Sequence, residues 1–287
     1  MKNRNHVSSL GSRIGNAAVW FVLAIFCLVV LVPLVFMFCS SFMPASEIMT
    51  MPYGWIPKIW RWENFHIALA GNDNSWLYLR NILNSLIVAI TVSVTTVILS
   101  AMIGYGLAKF KFKGRDAVFM GIMATMMIPF ETVMVPLYLV VVNLHMQNTY
   151  WGLILPFLTN AFGVFLMRQY LITFPTEILE AARIDGASEH SIFWHIVFKN
   201  SGPAAATLAI LAFRQQWDNL LWPLLVTQSE EMKTIPAYIV KFAAEKDADE
   251  GTMMAVAVIA SIPVFILFFT LSKYFLGGAS VYSAGKE

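Results

Sequence analysis

Residues 174–203 read FPTEILEAARIDGASEHSIFWHIVFKNSGP. The charges in this stretch are patterned. Glu177, Glu180, Arg183 and Asp185 fall within nine residues, Gly186 cuts the pattern, and Ser188 and Glu189 restart it. This chemistry predicts a helix, a glycine turn and a second helix. Pro175 is tolerated near a helix start, and Glu177 and Glu180 suit the positive end of the helix dipole. Gly186 can take the left-handed conformation that ends a helix. Ser188 is a good N-cap for the second helix.

Long apolar runs flank the stretch on both sides. Across its 287 residues the chain is 58% apolar and only 13% charged, where soluble domains run near 25% charged. A membrane protein is therefore the expectation. A membrane-crossing helix needs about 20 mostly apolar residues, and six stretches qualify: roughly 17–42, 81–108, 116–143, 150–170, 204–226 and 253–275. The first is far too long for the apolar core of a secretory signal, so it is expected to be retained. Residues 1–16 form a short tail ahead of it. The fold class expected is all-α, a polytopic bundle of six transmembrane helices.

Orientation follows from Lys and Arg in the loops. The N-terminal tail has Lys2, Arg4 and Arg13. The second loop has Lys109, Lys111, Lys113 and Arg115. The 174–203 loop has Arg183 and Lys199, with Arg168 at its edge. With six spans these three segments share one face, the cytoplasmic one, and so do both termini, Lys286 included. The Leu144–Thr149 turn has no Lys or Arg, as an external turn should. Residues 43–80, with Trp55, Trp60 and Trp62, suit a segment packed on the membrane surface. The mixed segment 227–252 carries Glu230, Glu231, Lys233, Lys241, Glu245, Lys246, Asp247, Asp249 and Glu250 and is expected outside.

Polar residues within spans are costly and mark candidate sites. Glu131 lies midway along the third stretch between Pro129 and Pro136, which free backbone carbonyls. In the fifth, Arg214, Gln215, Gln216, Trp217, Asp218 and Asn219 run together. Arg214 and Asp218, four apart, can pair on one face. The run fits a translocation path for hydroxyl-rich solutes, with donors, acceptors and an aromatic face. It fits equally a network that joins helices. An ion-coupled carrier with Glu131 or Asp218 as its proton or sodium site also stays open.

Other chemistries find no support. There is no G-x-x-x-x-G-K-[ST] phosphate loop and no H-E-x-x-H. His6, His66, His145, His190 and His195 are scattered, so no metal site is expected. Cys27 and Cys39 lie on one apolar run roughly 18 Å apart along a helix and cannot pair. Basic residues are too few and dispersed for nucleic acid. No paired catalytic constellation points to an intramembrane enzyme. Taken without any resemblance, the 174–203 pair could also rest on lipid heads through Ile178, Leu179, Ala182 and Ile184.

Glu180-Ala181-Ala182-Arg183-Ile184-Asp185-Gly186 resembles the EAA–Gly motif of bacterial ABC importer permeases, placed as in that family on the loop before the penultimate span. Met127-Ile128-Pro129, Pro136-Leu137-Tyr138, Asn148-Thr149-Tyr150 and Leu153-Ile154-Leu155-Pro156 resemble the carbohydrate-uptake branch. So do Trp217-Asp218-Asn219, Leu221-Trp222-Pro223-Leu224, Pro263 and the Ala284-Gly285-Lys286 ending. The likeness covers about residues 15–287 and is nearest the maltose-type second permease.

The resemblance implies a type I importer permease fold in the bacterial inner membrane, in contact with membrane lipid. It implies a second permease, two cytoplasmic ATPase subunits that hold ATP and Mg, an external solute-binding protein and a sugar substrate. This chain would hold no cofactor and perform no catalysis. Glu180 would make the charged contact to the ATPase, Ala181 and Ala182 would allow close approach, Gly186 would form the turn between the two helices, and Asp185 belongs to the same ATPase-coupling set. Lys199 stands where the family usually has proline, while Pro203 matches, so the second coupling helix is expected to run longer or to end at Gly202-Pro203. Arg214 is less typical of the family and would favour an anionic sugar.

Overall fold

Apolar runs of this length satisfy their backbone polar groups internally in lipid only as helices or closed barrels, and here every regular element among the described residues is helical. The computed structural model describes residues 10–71, 75–244 and 249–284, with side chains over 15–71, 75–240, 242–244 and 249–272. Lys2, Arg4, Glu245, Lys246, Asp247, Gly285 and Lys286, and the side chains of Arg13 and Lys241, lie outside the described residues.

In chain order the helices begin with α1 (Leu10–Ser40), α2 (Ala45–Ile48), α3 (Glu63–Ala70) and α4 (Leu77–Lys109). Next come α5 (Arg115–Thr125), α6 (Phe130–Asn143), α7 (Tyr150–Ile154, prolonged by a 3₁₀ turn over Leu155–Phe157) and α8 (Ala161–Ile172). After these lie α9 (Thr176–Ile184) and α10 (Glu189–Ile192, continued by a π-helical stretch over Phe193–Phe198). The last four are α11 (Gly202–Trp217), α12 (Leu221–Val226), α13 (Ile235–Ala243) and α14 (Glu250–Ala284).

Three helical segments are long and apolar enough to cross a membrane unbroken: Gly15–Ser40, Leu77–Lys109 and Glu250–Ser272. The continuous third, fourth and fifth crossings expected from hydropathy are interrupted. The third bends by 95° between α5 and α6 at Pro129, and the fourth by 43° between Phe157 and Ala161. The fifth ends as α11 at Trp217 and restarts as α12 at Leu221. A hydropathy window is blind to chain direction, whereas Pro129 lacks the N–H that would continue the preceding helix and Asn160 prefers to cap the next one.

By its internal packing the chain divides into two units, Met1–Ala68 with Lys246–Ile259, and Leu69–Glu245 with Ala260–Glu287. In the first unit, Phe42 is an aromatic hub: its ring lies 5.3 Å from Trp60, 4.8 Å from Trp62 and 4.9 Å from Phe65. The buried Asn64 amide donates to the carbonyls of Ser41 (3.0 Å) and Met43 (2.9 Å). Asp249 accepts from the Ala45 backbone N–H at 3.1 Å and pairs with Arg61 at 3.2 Å. Along Gly15–Ser40 the apolar window is wholly unburied.

The second unit is organised on α4, against which α8 and α11 pack. Their shared core joins Val97, Ala101 and Tyr105 of α4, Met167 and Leu171 of α8, and Leu208 of α11. The α4–α8 approach is close enough that a Cβ on Gly104 would stand 2.9 Å from the Arg168 backbone nitrogen, the small-residue contact by which helices associate in lipid. Arg168 of α8 holds α5, its guanidinium 3.9 Å from the Phe119 ring centroid and 3.7 Å from Asp116. Part of the segment expected as a charged external loop is ordered. α13 stacks Tyr238 on Tyr78 of α4 at 4.9 Å, and Asn84 of α4 donates to the carbonyls of Glu231 (2.8 Å) and Lys233 (2.9 Å) while accepting from Tyr150 (2.6 Å).

Candidate functional site

The helix–glycine–helix stands out first. Thr176 opens α9 after Pro175, with Glu177 in the first turn. The helix ends in a double hydrogen bond: Gly186 N–H donates to Arg183 O (3.1 Å) and Ala187 N–H to Ala182 O (3.0 Å). Gly186 has φ +82°. Those two bonds and the left-handed glycine make a Schellman cap. Ser188 then caps α10, its Oγ accepting from Ser191 N–H at 3.3 Å. The helix does not stop at Lys199; it continues through Asn200 and turns at Ser201, with an 81° bend into α11. Without proline at 199 no N–H is missing to end it.

α9 has two faces. Leu179 is fully buried and Ala182 partly so, both against the α4–α8 core. Glu177, Ile178, Glu180, Ala181, Ile184, Asp185 and Gly186 are exposed, and Ile184 is 86% exposed. Of the five coupling residues singled out by sequence, four thus face outward and Ala182 supports them from beneath.

The pair is tied to α4 by polar bonds. Lys109 Nζ donates to Phe174 O (2.5 Å) and to Thr176 Oγ1 (3.3 Å). Tyr105 Oη donates to one Glu189 oxygen at 2.9 Å, and Arg183 Nε to the other at 2.6 Å. The hydrogen bond from Arg183 holds the Glu189 carboxyl below the usual carboxylate range, aided by Tyr105 and opposed by burial, and Glu189 in turn raises Arg183. Because the folded value of Glu189 is depressed, its contribution is present above the unfolded carboxylate range and is lost as pH falls through the folded value. With both side chains substantially exposed, solvent screens that contribution to a small one.

The second group of candidates gathers at the helix breaks. Glu131 is exposed in the first turn of α6, directly after the 95° bend rather than midway along a straight crossing. Asn160 caps α8, accepting from Gly163 N–H at 2.6 Å. Asn219 accepts from Trp222 N–H at 3.4 Å across the α11–α12 break. Arg214 and Asp218 form the expected pair at 3.3 Å, with side chains 70% and 59% exposed. Gln215 is also exposed. Trp217 differs from the rest: it is buried, stacks on Phe213 at 5.4 Å and donates its indole N–H to Ala260 O at 3.1 Å, so its ring serves packing.

An aromatic cluster locks the breaks together. Phe130, Phe157 and Trp222 stand 5.5–6.0 Å apart pairwise, and the Trp222 indole N–H donates to Gly152 O at 3.0 Å. Glu131 follows Phe130, Asn160 lies three residues after Phe157, and Asn219 three before Trp222. Nearby, a cavity of about 20 Å³ is lined by Thr159, Asn160, Gln215 and Gln216 against apolar Val92 and Ala212. A polar space of that size suits one water. Sequence reasoning missed Thr159 and Asn160; the signal was their polarity after Pro156 within an apolar run.

Residues 97–278 match the family described as binding-protein-dependent transport system inner membrane component. The chain belongs to this family. The match takes in α6, α8, the α9–α10 pair, α11 and α12, which between them carry or flank the residues of both candidate groups. The permease is 34% identical over 256 residues, 88% of its length and 90% of the relative's, to the arabinooligosaccharides transport system permease protein AraQ of Bacillus subtilis. It is 33% identical over 255 residues, 88% of its length and 91% of the relative's, to the sn-glycerol-3-phosphate transport system permease protein UgpE of Yersinia pestis. A crystal structure of a bacterial ABC transporter involved in the import of the acidic polysaccharide alginate matches with TM-score 0.81 at 24% identity, over 93% of this chain and 98% of that one. That likeness shows the fold. The permease is thus an inner-membrane transport component of an ABC importer, not an enzyme, and works with a permease partner, an ATPase and a binding protein. Nothing supports the ion-coupled carrier.

Proposed function

We propose that this permease forms half of the translocation path for a sugar or oligosaccharide and that residues 174–203 couple the path to the ATPase. The observation that carries the coupling reading is the capped α9–α10 pair, which holds Glu180, Ala181, Asp185 and Gly186 outward while Leu179 and Ala182 grip the α4–α8 core. A rigid, exposed, charged knob on a membrane bundle suits docking into a cleft of a soluble subunit. ATP and Mg belong to two ATPase subunits beneath it.

The topology that fits is six crossings near 17–42, 81–108, 116–143, 150–170, 204–226 and 253–275, with residues 1–16, the C-terminus and the 174–203 loop in the cytoplasm. The loop cations Lys109, Lys111, Lys113 and Arg115 favour that side. The unburied window of α1 is available to lipid or to the second permease. A binding protein delivers substrate to the opposite face.

The helix breaks suit the path. Irregular backbone at membrane depth is tolerated where it is buried in protein or lines a watery cavity. Glu131, Arg214, Gln215, Asp218 and Asn219 supply donors and acceptors there, and Trp217 stiffens the wall from behind. Two relatives are named for arabinooligosaccharides and sn-glycerol-3-phosphate, both polyhydroxylated. Arg214 already holds Asp218, so the cation is partly matched before any anionic solute arrives. Arg214→Gln is expected to lower uptake of acidic sugars more than neutral ones; equal loss for both would remove Arg214 from selectivity.

The proposal is tested with the complete transporter in vesicles. Uptake that needs ATP and the binding protein supports it. Uptake that persists without ATP and tracks a proton gradient contradicts it.

A further inference from the structure

The α9–α10 pair is held to α4 in two different ways. Leu179, Ile192, Phe193 and Val197 pack into the shared core, an attraction without direction that lets surfaces slide. The polar bonds are directional, weakening steeply with distance and angle. Tyr105 and Lys109 lie one turn apart on α4 and therefore on one face. Lys109 reaches the start of α9, and Tyr105 reaches Glu189 at the start of α10. Both helix starts are thus fixed to the same face of α4. Glu189 has the further role of joining α10 to α9 through Arg183, at 2.6 Å. The Tyr105 ring is seated against Phe110 (5.3 Å) and Phe193 (5.9 Å), so its hydroxyl is aimed.

We infer that Glu189 is a positioning residue of the transport cycle: its carboxylate, shared between Tyr105 Oη and Arg183 Nε, locks the α9–α10 pair to α4 so that a push on the pair moves α4 with it. This rests on the coupling reading of residues 174–203. α4 is the helix against which α8 and α11 pack, so motion delivered to it reaches the helices that carry the breaks. Without the shared carboxylate the pair would still dock and the ATPase would still turn over. Part of its stroke would be lost as sliding over the apolar core.

The test uses the assembled transporter, both permeases with the ATPase, in vesicles with its binding protein. The measured quantity is sugar moved per ATP hydrolysed, at equal amounts of assembled complex. Tyr105→Phe, which keeps the ring and removes the hydroxyl, is expected to lower that ratio roughly fivefold, the factor that one net hydrogen bond represents. Glu189→Ala should lower it further. Glu189→Gln, which still accepts from Tyr105 but loses the charge facing Arg183, should fall between Glu189→Ala and the parent. A purely structural role would reduce the yield of complex and leave the ratio alone.

An unchanged ratio in both Tyr105→Phe and Glu189→Ala overturns the inference, as does a fall that only mirrors lost assembly. Cross-linking Ile184→Cys to the ATPase in the parent transporter separates the two levels. If the cross-link forms and the ratio holds in the variants, this inference alone fails. If it never forms, the coupling reading fails and the inference with it.

Discussion

Replacing Trp222 with alanine is expected to destabilise the permease by about 3 kcal/mol, within the range for emptying a buried aromatic site. Trp222 is fully buried and touches the ends of two other interrupted crossings through Phe130 and Phe157. In lipid the transfer of apolar surface from water contributes little to helix association. The loss is therefore one of contacts: dispersion along both edge-to-face rings and the indole hydrogen bond to Gly152 O at 3.0 Å. Trp222→Phe separates these, keeping most of the packing and removing the hydrogen bond, for a loss of about 1 kcal/mol. Unfolding of the purified permease in mixed micelles measures both. A loss below about 1 kcal/mol for alanine would mean that the cluster does not hold the breaks together.

The second large effect is on coupling rather than stability. Gly186→Val is expected to cut ATP-driven uptake by roughly 5- to 30-fold, the population shift that about 1–2 kcal/mol of left-handed strain represents. Gly186 sits at φ +82°, and a Cβ there meets nothing within 4 Å. Sterics with neighbours are thus not the obstacle; the backbone conformation is. The substituted chain escapes the strain by abandoning the Schellman cap, which redirects α10 relative to α9. Gly186→Asn, which tolerates the left-handed region better, should lose much less. Uptake in vesicles compared with thermal stability checks the separation: uptake should fall while stability stays within about 0.5 kcal/mol for Asn and shifts modestly for Val. Equal uptake by the Val variant and the parent would show that the turn's geometry is not transmitted.

Legibility in the sequence divides along local and distant lines. The cap chemistry of the 174–203 stretch was legible because it is local: Pro175, Gly186 and Ser188 act within a few residues, and each takes the role its type favours. The Arg214–Asp218 pair was legible for the same reason. The broken crossings were not, because hydropathy averages over a window while Pro129, Asn160 and Asp218–Asn219 act at points. α13 was hidden inside a segment whose ends are charged, although IPAYIVKFA is itself amphipathic. Trp217 looked like a path residue beside five polar neighbours, and only its burial and its bond to Ala260 reveal packing. The Tyr105–Glu189 bond spans 84 residues of chain, beyond any local pattern.

In the proposed coupling, the exposed face of α9–α10 meets the ATPase. Ile184 tests it most directly, being an apolar side chain 86% exposed at the tip of α9, beside Asp185 and Gly186. In a background with Cys27 and Cys39 replaced by serine, Ile184→Cys should cross-link to the ATPase in the assembled importer and be shielded from a bulky thiol reagent. The shielding should vanish when the ATPase is stripped away. Equal labelling with and without the ATPase, and no cross-link, would rule out that contact.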